Sequence, residues 1–151
     1  MKKKGSALVI VIIIMMVVFM LAAFMVDTSV KSNRVASDTF NNTRAYYSAE
    51  TGIYDFINDI IDKNCSVSLN ESITNHYNAH GLYGDNMEVY TAKIIDIDTE
   101  SNPKEFTINS TGNYGSQGYT IIAEVYITAV DNGSGGYNYS YSINSKKVYK
   151  S

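Results

Sequence analysis

The sequence has one cysteine, one proline and no tryptophan among its 151 residues. A single thiol, Cys65, excludes an internal disulfide, so an exported form of this chain must fold on its own apolar core. We expect Cys65 to be a small buried or half-buried side chain, with intermolecular pairing as the minor alternative. No nucleotide-binding loop, paired Cys-x-x-Cys motif or Ser/His/Asp arrangement is present in the sequence. It therefore predicts neither an enzyme nor a cofactor.

Acidic residues are absent before Asp27, whereas three lysines, Lys2, Lys3 and Lys4, stand at the N-terminal end. Beyond these lysines the chain carries its other 9 basic residues and all 15 acidic residues, a net charge of −6. A body with this charge lacks the basic patch that phosphate binding needs. The charge distribution therefore argues against nucleic acid as a partner.

Every residue from Ala7 to Val26 is apolar. As a helix this run would be about 30 Å long, which is the thickness of a bilayer core. The preceding lysines favour a cytoplasmic N-terminus and a body outside the membrane. Three interpretations remain open: a secretory signal, a plain membrane anchor, and a retained segment of a fibre subunit. A secretory signal is disfavoured, because its apolar core usually has about 7–15 residues and ends at a small-x-small cleavage site.

Beyond the run, apolar residues continue at steps of three and four, without a proline before residue 63. This spacing predicts one helix from Ser6 to near Lys63, apolar all round at first and amphipathic afterwards. Residues 64–86 read as a connecting region, with a short helix from Ser68 to Ala79. The period then changes from 3.6 to 2 and predicts four strands, Met87–Ile97, Phe106–Ser110, Tyr119–Val130 and Tyr137–Ile143.

A cluster of turn residues, Asp131–Gly136, separates the last two predicted strands. Four consecutive strands without intervening helices indicate an antiparallel sheet. The predicted fold is therefore α+β, with one face of a sheet of about four strands packed on the second part of the helix.

Two groups of potential metal ligands are present. His76 and His80 would share a face if Ser68–Ala79 were helical, but no third ligand follows the pattern, and we favour an exposed helix. Asp96, Asp98 and Glu100 alternate at a strand end without an EF-hand pattern, so we favour a solvated acidic edge over a calcium site. The sequence therefore predicts no metal.

Three tyrosines, Tyr137, Tyr139 and Tyr141, would point to one face of the last strand. We slightly favour the core for these side chains. The alternative is an exposed aromatic strip suited to adhesion or to contact between subunits.

The leader Lys2-Lys3-Lys4-Gly5-Ser6, followed directly by the apolar run, resembles the processing site of type IV prepilins. In that family a membrane peptidase cuts after the glycine, here between Gly5 and Ser6, and methylates the new N-terminus. Major pilins usually carry glutamate as the fifth mature residue, where this chain has Ile10. That departure resembles minor pilins of the PilX class and K-type pseudopilins of type II secretion, in which it suits a subunit that need not dock onto one ahead of it.

Residues Ala45, Ala49, Glu50, Gly52 and Ile53 match a second PilX-class pattern, Ala-x-x-x-Ala-Glu-x-Gly-hydrophobic. The small residues would let a strand or a neighbouring helix come close, and Glu50 is expected to be a solvated or locally paired carboxylate. A third resemblance to pilin and pseudopilin heads lies in the strand, Ser-x-Gly and glycine turn of Phe106–Gly115, followed by the long strand Tyr119–Val130. Here we expect the turn glycines to supply positive φ.

Together these resemblances imply a pilin-like chain with a leader (1–5), a transmembrane or fibre-core segment (6–26), an amphipathic continuation (27–63) and a globular head (64–151). The side chains expected to mediate assembly are apolar and lie along the first part of the helix: Leu8, Ile10, Ile14, Val18 and Leu21. The implied partners are other pilins or pseudopilins, the prepilin peptidase, the inner-membrane assembly platform and membrane lipid.

The implied function is that of a structural subunit, a minor pilin or pseudopilin of a type IV pilus or related secretion or uptake fibre, with a tip or initiation role as its finer form. The implied location is the cytoplasmic (inner) membrane, single-pass with the head outside, and then a cell-surface or periplasm-spanning fibre. The first alternative is a single-pass anchored binding or sensing module that does not polymerise. A secreted enzyme or binding module is less favoured.

Overall fold

The computed structural model of the chain describes residues 4–77 and 88–150. Helix α1, Lys4–Asp62, precedes all the strands. The strands are β1 (Ser72–Tyr77), β2 (Glu88–Asp98), β3 (Lys104–Tyr114), β4 (Gln117–Asp131) and β5 (Tyr137–Lys150). The strands form one sheet in the order β1-β2-β3-β4-β5, and all neighbouring pairs are antiparallel. The predicted α+β layout is confirmed, with five strands instead of about four.

The additional strand is β1, and the short helix predicted for Ser68–Ala79 is wrong across Ser72–Tyr77. In this segment Ile73 pairs with Ala92, and Thr74 pairs with Thr91. Ile73 packs against the core while Thr74 is exposed, which is the alternation of a half-buried strand. The apolar side chains Ile73 and Tyr77 are four residues apart, a spacing that is compatible with a helix. Backbone pairing with β2 nevertheless makes the segment a strand. The last two residues of the predicted helix, 78 and 79, lie outside the described residues.

The core lies between one face of the sheet and the part of α1 that follows residue 44. Its fully buried members recur every three or four residues on the helix and every second residue on the strands: Ala49, Ile53, Phe56, Ile57, Ile60, Ala92, Ile94, Phe106, Ile108, Ile121, Ala123, Val125 and Ile127. The opposite sheet face is polar and carries two threonine pairs, Thr74 with Thr91 and Thr111 with Thr120, whose hydroxyls are 3.1 Å apart. One face thus packs on the helix, as predicted.

Helix α1 ends in a Schellman turn formed without glycine. The N–H of Cys65 donates to the carbonyl of Ile60 (2.8 Å), and the N–H of Asn64 donates to that of Ile61 (2.9 Å). Asn64 takes the left-handed conformation, with φ of 52°, which asparagine tolerates better than most residues. The turn directs the Cys65 side chain into the core, where burial raises the pKa of its thiol. The expectation of a buried cysteine is confirmed.

The three tyrosines of β5 do not share one environment. Tyr139 packs partly against the core, and its hydroxyl donates to Asn64 Oδ1 (3.2 Å). Tyr137 and Tyr141 are exposed to 60% and 45%, so the preference for a core position was wrong for these two. The reason is that β5 is an edge strand, on which a side chain has only one neighbouring strand to pack against.

The acidic residues at the end of β2 act locally, as expected for a solvated edge. Asp96, Asp98 and Glu100 are all exposed, and Asp98 Oδ1 accepts the N–H groups of Glu100 (3.0 Å) and Ser101 (3.3 Å). In the described parts of the chain no group of three or more histidine, cysteine or acidic side chains is arranged to hold a metal. The backbone of His76 is part of β1, so the helical face postulated for it is wrong, and His80 lies outside the described residues.

Candidate assembly segment and helix–sheet contact

The chain divides into two compact units, Met1–Thr39 and Phe40–Ser151. In the first unit, the helix from Leu8 to Val26 exposes its large apolar side chains in every direction, each between 48% and 73%. This includes all five residues predicted to mediate assembly: Leu8, Ile10, Ile14, Val18 and Leu21. By length and composition this helix can cross a membrane. A continuous apolar surface of this size is unstable in water and requires lipid or protein around it.

The apolar surface ends at a pair of opposite charges. Lys31 Nζ lies 2.7 Å from Asp27 Oδ2, one helical turn away, and both side chains are mostly exposed. Val30 and Val35, which lie in the predicted amphipathic continuation, are exposed to 61% and 64%. Within the first unit, the part of the helix that follows Asp27 therefore has no buried apolar face.

The predicted processing site lies at the start of the helix. The backbone of Lys4, Gly5 and Ser6 is helical, and Lys2 and Lys3 lie outside the described residues. Ile10 occupies the position at which a major pilin has glutamate, and its side chain is 54% exposed among other apolar residues. The first carboxylate, that of Asp27, is more than four helical turns further along.

In the second unit, the small residues of α1 are the points at which the sheet approaches most closely. Ala45 and Ala49 are completely buried. A Cβ added to Gly52 would lie 2.2 Å from Ser110 Oγ and 2.8 Å from Tyr90 Cδ2. The predicted close approach of the sheet at Gly52 is therefore confirmed.

Gly112 lies beyond the predicted strand Phe106–Ser110 but inside β3, where it pairs with Tyr119. A Cβ at Gly112 would lie 2.1 Å from the backbone nitrogen of Ala49 and 2.6 Å from the carbonyl oxygen of Ala45. The glycine of the turn is Gly115, with φ of 58°. In the Ser-x-Gly pattern, Gly112 thus provides room for the helix backbone, and only Gly115 adopts positive φ.

Glu50 joins the helix to the C-terminal strand. Its carboxylate forms an ion pair with Lys146 on β5, and both side chains are about three-quarters buried. Lys146 also donates to the hydroxyl of Tyr46 (3.0 Å) and lies 5.2 Å from the centre of that ring. Desolvation lowers the pKa of Lys146, but its bonds to Glu50 and Tyr46 outweigh this and raise the pKa overall. Glu50 is a locally paired carboxylate, as expected, and its partner was not identified from the sequence.

Residues 4–53 match the family model described as PilX N-terminal. This segment is similar to the N-terminus of PilX-type pilins. The matched range includes the whole exposed apolar helix and the small-residue contact up to Ile53, so the PilX-class resemblance drawn from Ala45–Ile53 is confirmed. The matched range covers one third of the chain. No curated protein and no solved structure matches the chain significantly.

A segment of this kind is typical of type IV pilus-related pilins, a structural class of protein whose members associate with other pilus components. The apolar helix inside the matched range fits anchoring in a membrane. The matched range ends at Ile53, within the helix and before the first strand. The family match therefore does not extend to the five-stranded head.

The contact between Gly52 and Ser110 gives a direct test of the helix–sheet packing. Ser110 is completely buried, and its hydroxyl has no hydrogen-bond partner within the described residues. We expect Ser110→Ala to be neutral or to raise the free energy of unfolding by up to about 1 kcal/mol, because it removes an unpaired buried hydroxyl. The measurement is urea denaturation of the full chain in detergent micelles.

The same substitution should partly rescue Gly52→Ala. The alanine methyl at residue 52 collides first with Ser110 Oγ, so the two substitutions should be non-additive, with the double variant more stable than the sum of the single effects predicts. Strict additivity would show that the two positions do not meet.

Proposed function

We propose that this chain is a minor pilin or pseudopilin, cleaved between Gly5 and Ser6, methylated on Ser6, and assembled into a type IV pilus or related fibre. The single observation that carries the proposal is the apolar surface of Leu8–Val26, exposed on all sides within a segment that matches the PilX N-terminal model. A signal peptide is discarded with its apolar run. Cleavage after Gly5 instead leaves the run on the mature protein, available first to lipid and then to neighbouring subunits.

The proposal divides the chain into a leader (1–5), an assembly segment (6–26), a helical continuation (27–63) and a head (64–151). In this proposal, the positive charges of the leader keep the N-terminus in the cytoplasm, and the single helix places the head outside. These charges are those of Lys2, Lys3 and Lys4. As the subunit enters the fibre, five apolar side chains of the assembly segment exchange contacts with lipid for contacts with protein: Leu8, Ile10, Ile14, Val18 and Leu21. Since lipid is as apolar as a fibre core, this exchange yields little hydrophobic free energy, and assembly would draw on a dedicated platform at the inner membrane.

A tip or initiation role is the finer form of the proposal, and its support is the absence of a carboxylate near the mature N-terminus. A glutamate at the fifth mature residue can pair with the terminal amine of a neighbouring subunit. With Ile10 at that position, the chain offers an apolar side chain and no acceptor. A subunit without this acceptor suits the end of a fibre, where no subunit lies ahead of it.

Mass spectrometry of the mature N-terminus tests the proposal. In cells with prepilin peptidase, we expect the chain to begin with methylated Ser6, and in cells without the peptidase we expect the leader to remain. Gly5→Val should also retain the leader, because the bulkier residue replaces the glycine at the cleavage point. A chain that keeps its leader in both strains would support the anchored, non-polymerising alternative, and one that begins beyond Val26 would support a secreted module.

A further inference from the structure

A cavity of about 520 Å³ lies at one end of the head, within the unit Phe40–Ser151. Its wall is formed by residues from the end of α1, from β3 and from the turn and strand of β5: Asn64, Lys104, Gly135, Gly136, Tyr137 and Tyr139. This volume falls within the range of about 300–1,000 Å³ typical of small-molecule sites. None of these residues belongs to the segment matched by the PilX N-terminal model, so the cavity is a feature of the head alone.

Two tyrosine rings form the apolar part of the cavity. Tyr137 and Tyr139 are alternate residues of β5 and share one face, with ring centres 6.4 Å apart and planes tilted by 46°. The Tyr139 hydroxyl donates to Asn64 Oδ1, which fixes that ring and leaves the Asn64 amide nitrogen as a donor. Tyr137 is 60% exposed, so an apolar ligand surface can reach its ring without rearrangement of the strand.

The polar part of the cavity is cationic. Lys104 has no hydrogen bond or ion pair with any side chain in the described residues, and no carboxylate lines the cavity. Asp131, at the end of β4, uses its Oδ1 within the turn, where it accepts the N–H of Gly133 at 2.8 Å. Burial raises the pKa of the Cys65 thiol more than the positive charge of Lys104 lowers it. The thiol is therefore neutral at pH 7 and offers Lys104 no negative charge. Among the described residues, the ammonium of Lys104 is therefore left without a counter-ion.

The turn that closes the cavity is rigidly held. Asn132 Oδ1 accepts the N–H groups of Ser134 (2.9 Å) and Gly136 (3.2 Å), and the N–H of Asn132 donates to the carbonyl of Gly136 (3.0 Å). These bonds fix the wall before any ligand arrives, so binding would cost little ordering of the loop.

We propose that this cavity binds an acidic saccharide, with the ligand carboxylate on Lys104 and a sugar face against Tyr137. The electron-rich face of a tyrosine ring attracts the polarised C–H groups of a sugar, and the amide of Asn64 offers a hydrogen bond to a sugar hydroxyl. An acidic peptide would also satisfy Lys104. It would leave the two tyrosine rings and the amide without matched groups, which is why the saccharide is favoured.

The test is an NMR-detected titration of the full chain in detergent micelles with 3′-sialyllactose and with trigalacturonate. The neutral controls are lactose and methyl-esterified trigalacturonate. We expect at least one acidic probe to bind and its neutral control to bind at least tenfold more weakly. Lys104→Gln should weaken binding of that probe about tenfold, the effect of losing one charge-assisted hydrogen bond. Tyr137→Ala should weaken it by a similar factor, and both variants are expected to fold because their side chains are incompletely buried.

Matched control substitutions lie further along β5. They are on the face opposite to that of Tyr137 and Tyr139, because the bulge between Glu124 and Val125 of β4 shifts the pairing of the two strands. Lys147→Gln and Tyr149→Ala remove an exposed lysine and an exposed tyrosine at a distance from the cavity, and they should leave affinity unchanged. Equal binding of acidic and neutral probes, or equal loss in the control variants, would overturn the proposal. So would binding of a triglutamate peptide with greater affinity than either saccharide and with the same dependence on Lys104. The readout does not require fibre assembly, so its failure is distinguishable from failure of the pilin function.

Discussion

Gly112→Val is expected to prevent the sheet from packing on the helix and to leave the head largely unfolded. A Cβ at this position would already lie 2.1 Å from the backbone nitrogen of Ala49 and 2.6 Å from the carbonyl oxygen of Ala45. Both obstacles are helix backbone, so no side-chain rotation relieves the collision. Overpacking of a core usually costs about 1–3 kcal/mol, and a clash with backbone should reach or exceed the top of that range. A small domain has only about 5–15 kcal/mol of stability in total.

A graded series separates this collision from the general effects of replacing glycine. We expect Gly112→Ala to lower the free energy of unfolding by about 3 kcal/mol and Gly112→Val to lower it further. The control is Gly133→Ala, whose Cβ would meet nothing within 4 Å and whose cost is the strain of positive φ, about 1 kcal/mol. Urea denaturation followed by near-UV circular dichroism supplies the measurement. If Gly112→Ala is as mild as Gly133→Ala, the helix and sheet are not in backbone contact at this point.

Gly112 also illustrates why part of this contact could be predicted from the sequence and part could not. On α1, the spacing of Ala45, Ala49 and Gly52 predicts a smooth face, because residues three or four apart share one side of a helix. On β3, the predicted strand ended at Ser110, so the place of Gly112 within the sheet was not predicted. Strict alternation from Phe106 would have placed Gly112 on the core face.

The partners that come from distant parts of the chain were not predictable in the same way. Glu50 was expected to be solvated or locally paired, and the sequence did not indicate its partner: Lys146 is 96 residues away and is brought to the helix by the register of β5 on β4. The β-bulge between Glu124 and Val125 shifts that register. Beyond such a bulge, every side chain of the strand points to the opposite face of the sheet from the one that simple alternation predicts. No local pattern in Ser145–Lys150 reveals this change.

Strand β1 was missed for a related reason. Its six residues contain one large aliphatic side chain, Ile73, so the alternation that identifies a strand is barely expressed. The segment becomes a strand through pairing with β2, a non-local interaction. By contrast, α1 was predicted to within two residues at each end, because its apolar run and the absence of proline are properties of the local sequence.

Val18→Lys is expected to abolish incorporation of the chain into fibres. Val18 lies near the middle of the exposed apolar helix, about 30 Å long, so a lysine there has no reach to either interface without distorting the bilayer. A lysine at the centre of a membrane helix costs about 2.5–3.5 kcal/mol by insertion scales, or roughly a hundredfold in the equilibrium. In a fibre core the ammonium would also be buried, and the apolar run of this chain supplies no carboxylate to pair with it before Asp27.

The control for this substitution is Ser32→Lys, which adds the same charge to an exposed helix position beyond the apolar run. Immunoblots of sheared fibres and of membrane fractions should show at least tenfold less Val18→Lys protein in the fibres, with Ser32→Lys close to the unmodified chain. Ile14→Leu, an apolar exchange inside the run, should also be tolerated, because lipid and a fibre core both accept it. Normal incorporation of Val18→Lys would mean that Leu8–Val26 is not buried in the fibre, and the retained helix would then serve only as an anchor.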